Sequence, residues 1–185
     1  MNFLPLEVSG AFLIEPEPIP DERGFFARLW CRKDFEDRGL VGHIVQCSQS
    51  FNARKGTLRG LHYQVAPHAE VKVVRCLKGS IYDVVLDLRP ESPTFGKYAA
   101  ATLTSENRSM AYVPKGCAHG FQTLENGTEV LYLISEFYRP DHARGVRWDD
   151  PAFGIPWPPG EKILNERDRS YPDYRPPEGR IPDGR

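Results

Sequence analysis

The chain is punctuated too often to build long helices. Apolar or alternating runs fall at residues 10–14, 41–50, 71–77, 80–88, 97–103, 109–113, 120–124 and 129–137, each of strand length. Turn residues close several of them: Lys78-Gly79, Arg89-Pro90, Pro114-Lys115-Gly116 and Glu125-Asn126-Gly127. Helical periodicity is confined to residues 33–38 and the neighbourhood of 151–153. A chain that buries itself through short strands must stack two sheets or close a barrel, which limits exposed sheet edges and encloses a pocket. The pattern therefore predicts an all-β sandwich or jelly-roll barrel with short helical turns, and it argues against a doubly wound α/β sheet.

The 185 residues suffice for one domain with its own core. Eight of the 17 prolines lie within 151–185, which predicts an irregular C-terminal segment rather than further strands. Phe153, Ile155, Trp157, Ile163, Leu164 and Tyr171 are expected to anchor it, whereas 176–185 offers no such anchor and is expected to be mobile. The 24 basic and 25 acidic residues nearly cancel, and no basic run is long enough to follow a nucleic acid or a membrane surface. No apolar stretch approaches the roughly 20 residues of a membrane span, and residues 1–10 lack the pattern of a signal peptide. Cys31, Cys47, Cys76 and Cys117 are widely spaced, as expected of free thiols in a reducing cytoplasm.

Two clusters carry the chemistry. The first is Gly56-Thr57-Leu58-Arg59-Gly60-Leu61-His62-Tyr63-Gln64, followed by Lys72 inside an apolar run. Period-two alternation puts Lys72, Val74 and Cys76 on one strand face and Val71, Val73, Arg75 and Leu77 on the other. His62 alone reads as a hydrogen-bonded structural histidine before it reads as a catalytic one, and Lys72 alone reads equally as an edge gatekeeper or a snorkelling side chain. In the second cluster, Pro114-Lys115-Gly116-Cys117-Ala118-His119-Gly120-Phe121, His119 and Phe121 share parity. Downstream, Tyr132 shares parity with Tyr138, and core aromatics would look the same.

Gly56 with His62, and Pro114-x-Gly116-x-x-His119, resemble the two motifs of the cupin superfamily, jelly-roll barrels that often bind metal through three histidines and a glutamate. Here Gln64 stands where the second histidine is expected, and Glu70 is the only nearby carboxylate. Two imidazoles and an amide suit zinc or iron poorly, so a cupin-type barrel without metal or other cofactor is expected.

From Asp21 to about Pro172 the chain resembles the dTDP-4-dehydrorhamnose 3,5-epimerase family. The resemblance rests on Asp21-Glu22-Arg23-Gly24-Phe25-Phe26, the run 56–64, Asp87-Leu88-Arg89, Ser92-Pro93-Thr94-Phe95-Gly96, Ala118-His119-Gly120-Phe121, Trp148-x-Asp150-Pro151 and Leu164-Asn165-Glu166-Arg167-Asp168, in order. It implies a cofactor-free isomerase acting at carbons flanking the ketone of a nucleotide-linked 4-keto-6-deoxyhexose, as in dTDP-L-rhamnose biosynthesis. By the same resemblance His62 is the base, Asp168 its orienting carboxylate, Lys72 the partner of the sugar carbonyl oxygen and Tyr132 the opposite-face proton donor. Arg59 and Arg23 would hold the diphosphate, with Phe26, Gln49, His119, Phe121, Tyr138 and Arg167 completing the substrate site. The family also implies a homodimer in which residues 1–30 are exchanged and Arg23 reaches the neighbouring pocket.

Four positions depart from the family. Counting back from Gly56, Cys47 and Gln49 stand where glutamine and asparagine are usual. Ala143 replaces a glutamate and Ile19 an aromatic. Either substrate preference has shifted or the changes are drift. Alternatives to a 3,5-epimerase are a single-carbon epimerase, a metal-dependent cupin oxygenase or isomerase, and a non-catalytic sugar-binding cupin.

Overall fold

The computed structural model describes residues 1–176. The chain enters through β1 (Asn2–Pro5) and β2 (Phe12–Glu15), makes a hairpin of β3 (Ile19–Asp21) and β4 (Gly24–Phe26), and passes a short helix, α1 (Arg32–Glu36). Eight strands follow: β5 (Gln46–Asn52), β6 (Leu58–Gln64), β7 (Lys72–Lys78), β8 (Ser80–Asp87), β9 (Tyr98–Thr104), β10 (Met110–Val113), β11 (Cys117–Thr123) and β12 (Thr128–Ile134). A 3-10 turn at Pro140–His142, strand β13 (Ala143–Gly145) and helix α2 (Glu166–Arg169) complete the elements.

A six-stranded sheet, β1-β2-β10-β7-β12-β5, faces a five-stranded sheet, β13-β6-β11-β8-β9, with β3 and β4 forming a separate ribbon. All pairings within these sheets are antiparallel. This is the expected cupin-type jelly roll. Alternation sorts the strands into layers. Val74 and Cys76 of β7 meet Ile81 and Val85 of β8 and Phe121 of β11 between the sheets. Val71 and Val73 turn outward to pack with Phe35 of α1 and Tyr112. On the far side Val84, Leu86 and Ala118 pack with Val146 and Phe153, and Trp157 and Tyr174 cover them. The proline-rich segment is thus a lid on the outer face of the five-stranded sheet.

Some local expectations are corrected. The run at 41–50 becomes a strand only at Gln46–Asn52, and 151–153 is a turn rather than helix. Strand β6 carries Arg59, Gly60 and His62 and so lacks apolar alternation, while β1, β3, β4 and β13 are too short to show a period. Helix α2 is a single turn, capped by the Asn165 side chain on the Asp168 N–H at 2.7 Å. Phe153 and Trp157 anchor the tail as expected, the Trp157 indole donating to Trp148 O at 2.7 Å. Most of the segment expected to be mobile, from 177 on, lies outside the described residues.

Candidate active site

Two glycines set the distance between β6 and β11. A Cβ on Gly60, whose φ is +124°, would lie 2.5 Å from Gly120 Cα, so no side chain separates the strands there. His62 and His119 are thereby direct cross-strand partners, followed by a register shift before Phe121. Each histidine has its own carboxylate. His62 Nε2 lies 2.7 Å from Asp168 Oδ1, and His119 Nε2 lies 2.7 Å from Asp83 Oδ2. Asp83 shares parity with Ile81 and Val85 on β8 and points into the barrel; Asp168 arrives from the tail. The tail is held in place by Leu58 N–H to Ile163 O and Ile163 N–H to Gly56 O, each 2.9 Å. The Gly60 N–H also donates to Asp168 Oδ2 at 3.2 Å.

The facing wall belongs to the six-stranded sheet. Tyr132 of β12 and Ser50 of β5 meet at 3.3 Å between hydroxyls, with Phe121 and His119 against the Tyr132 ring at 6.5 and 6.4 Å. Lys72, at the start of β7, donates to His62 O at 3.1 Å and to Glu70 Oε1 at 2.9 Å. An ammonium has three donors, so one is left for a ligand. These groups line one cavity of about 340 Å³, within the range of small-molecule sites. Tyr138 and Arg167 stand at its edge, Nη1 of Arg167 reaching Tyr138 Oη at 3.5 Å. Exposed Arg59 gives Nε to Asn52 Oδ1 at 2.7 Å and keeps guanidinium surface for an anion.

Burial pushes the Tyr132 hydroxyl up to about 12, against the lowering effect of the Ser50 hydrogen bond and the Arg59 charge. Tyr132 therefore carries its proton at neutral pH. Burial would raise the Asp168 carboxyl, but the hydrogen bond and charge of His62, the Gly60 N–H and Arg167 outweigh it and hold the carboxyl below its ordinary value. With Nε2 turned to an ionised carboxylate, His62 has Nδ1 to take up a proton. One cavity thus holds an imidazole on one sheet, a protonated phenol on the other and an ammonium beside them.

A sequence model of the dTDP-4-dehydrorhamnose 3,5-epimerase family matches residues 5–175. The dTDP-4-dehydrorhamnose 3,5-epimerase of Sinorhizobium fredii is 43% identical over 177 residues, covering 93% of this chain and 89% of its own. The chain belongs to this epimerase family. Its fold superposes on the crystal structure of the Elizabethkingia anophelis enzyme of the same name with a TM-score of 0.91, at 38% identity, covering 94% of this chain and 96% of that one. The dTDP-6-deoxy-D-glucose-3,5-epimerase of Legionella pneumophila, solved in complex with dTDP-4-keto-L-rhamnose, gives 0.84 at 36% identity and covers 90% and 89%.

Of the family residues assigned from sequence, His62, Lys72, Tyr132, Asp168, Arg59, His119, Phe121, Tyr138 and Arg167 all line the cavity. Arg23 and Phe26 do not. Both belong to the exposed ribbon, where Arg23 pairs with Asp21 at 2.6 Å. Gln49 is a correction: it faces away from the cavity and donates to Glu129 at 2.7 Å. Counting back from Gly56 misplaces the face of β5 by one residue, because the alternation turns Gln46 and Ser50 inward and Cys47 and Gln49 outward. The Gln46 amide lines the site and accepts the Tyr138 N–H at 2.9 Å, so Cys47 is no lost amide. Ala143 does line the cavity, opposite Gln64, and Ile19 is exposed on the ribbon. Gln64 spends its amide on His68 O, Phe137 O and the Arg139 N–H, and Glu70 holds Lys72. Among the described residues no group of three His, Cys, Asp or Glu side chains is placed to ligate a metal. Sequence reasoning missed Asp83, whose signal was its parity inside an otherwise apolar strand.

Proposed function

We propose that this protein inverts C3 and C5 of dTDP-4-keto-6-deoxyglucose, the conversion that supplies dTDP-4-dehydrorhamnose. The observation that carries this reading is the placement of His62 and Tyr132 on opposite sheets of one cavity. Protons beside a ketone are acidic because the charge left behind moves onto oxygen. His62 Nδ1 removes such a proton from one face, and Asp168 steadies the imidazolium that forms. The free donor of Lys72 meets the developing enolate oxygen. Tyr132 returns a proton from the other face, which inverts the carbon. Arg59 and Arg167 hold the diphosphate and nucleotide end, with Tyr138 beside them.

The protein works as a homodimer in the cytoplasm. The free thiols support the compartment, and no helix among the described residues is long and apolar enough to cross a membrane. The exposed ribbon supports the dimer: Ile19 and Phe26 are 65% and 63% exposed, and Arg23, exposed beside Asp21, is not among the residues lining its own cavity. In a dimer that arginine completes the neighbour's diphosphate site.

Incubation with dTDP-4-keto-6-deoxyglucose in heavy water, followed by NMR, tests the reaction. Deuterium at both C3 and C5 with formation of the L-sugar is expected. Exchange and inversion at one carbon alone would make the protein a monoepimerase, and a binding module would exchange neither.

A further inference from the structure

Between Arg59 and Tyr132 runs a chain of hydrogen bonds whose direction is fixed from Arg59 as far as Ser50. A guanidinium can only donate, so the atom of Asn52 that faces Arg59 Nε at 2.7 Å is its carbonyl oxygen. The Asn52 amide nitrogen is then turned to Thr128 O at 3.2 Å and Ser50 Oγ at 3.4 Å. Ser50 Oγ accepts there and keeps its own hydrogen available to donate to Tyr132 Oη at 3.3 Å. Asn52 is 2% exposed, and a buried polar group holds its hydrogen-bond partners strongly.

We propose that Ser50 is a positioning residue for proton delivery: by donating to Tyr132 Oη it turns the Tyr132 proton toward the substrate. This rests on the assignment of Tyr132 as the proton donor. With one lone pair of Oη occupied by Ser50, the phenolic hydrogen points elsewhere, and the open side of Tyr132 is the cavity. When that hydrogen passes to the sugar carbon, the phenolate left behind keeps the Ser50 hydrogen bond, now to a charged acceptor and therefore stronger. No proton crosses Asn52 or Arg59. The two set direction only, and a diphosphate on the outer guanidinium nitrogens leaves Nε on Asn52.

The test uses the heavy-water assay on Ser50→Ala, Ser50→Thr and Asn52→Asp, reading deuterium in recovered substrate separately from inverted product. Ser50→Ala is expected to slow inversion about 10- to 100-fold while exchange on the His62 side persists and KM stays near that of the native protein. Ser50→Thr keeps a hydroxyl and should restore inversion. Asn52→Asp presents only acceptors to Ser50, takes its hydrogen, and should behave as Ser50→Ala does. Native partition between exchange and inversion in Ser50→Ala would overturn the proposal, as would exchange and inversion falling in step. A native protein that exchanges nothing would instead overturn the epimerase reading and the proposal with it.

Discussion

Asp168 Oδ1 sits 2.7 Å from His62 Nε2 across 106 positions of sequence, with the carboxylate 1% exposed and the imidazole 37%. The carboxylate occupies Nε2 of the ring and leaves Nδ1 as the other nitrogen. Asp168→Asn keeps the shape and loses the charge that stabilises the imidazolium. Steady-state kinetics should show kcat down by about 10²-fold or more with KM little changed. An unchanged kcat would remove Asp168 from the base's machinery.

The motif spanning Asp87 to Thr94 has a structural reason. Asp87, wholly buried, accepts from the Arg89 backbone and guanidinium and from the Ser92 and Thr94 hydroxyls at 2.5–3.0 Å. Asp87→Ala strands Arg89 and should cost about 3–5 kcal/mol in denaturant unfolding, with kinetics at permissive temperature intact. A cost below about 1 kcal/mol would show that the clamp is dispensable.

The same carboxylate predicts a pH dependence. Burial raises it, but Arg89, Ser92 and Thr94 outweigh burial and hold it below its ordinary value. A depressed folded value means the stabilisation is complete above the unfolded value of about 4 and is lost as pH falls through the lower folded one. Stability of the native protein should therefore fall more steeply below about pH 4 than that of Asp87→Asn. Parallel curves would contradict this.

Much of the fold and the site was legible in the sequence, for physical reasons. The layers follow from period-two alternation, which is why Lys72 correctly shares a face with Val74 and Cys76. The site's own strand was hidden, because β6 trades apolar alternation for Arg59, Gly60 and His62. The face of β5 was misjudged because the loop before Gly56 carries no periodic signal, so counting through it slipped by one residue. The pairing of Asp83 with His119 depends on β8 lying beside β11, a non-local fact no motif contains.

That correction to β5 is itself testable. Cys47→Ala and Gln49→Ala should leave KM for the thymidine-linked sugar unchanged, since both side chains face outward. Gln46→Ala should raise it about fivefold, the worth of one lost hydrogen bond. The reverse pattern would return β5 to the register counted from Gly56.

Light scattering should give about twice the chain mass. Replacing Ile19 and Phe26 together by serine removes apolar surface from the ribbon and should yield a monomer with activity lost, because the proposed dimer places Arg23 in the partner's site. A fully active monomer would contradict the dimer and the role of Arg23 together.

The central claim is that His62 starts the reaction. His62→Ala, incubated with dTDP-4-keto-6-deoxyglucose in heavy water, should incorporate deuterium at C3 and C5 about 10²- to 10⁴-fold more slowly than the native protein. Exchange at the native rate in His62→Ala would contradict the account.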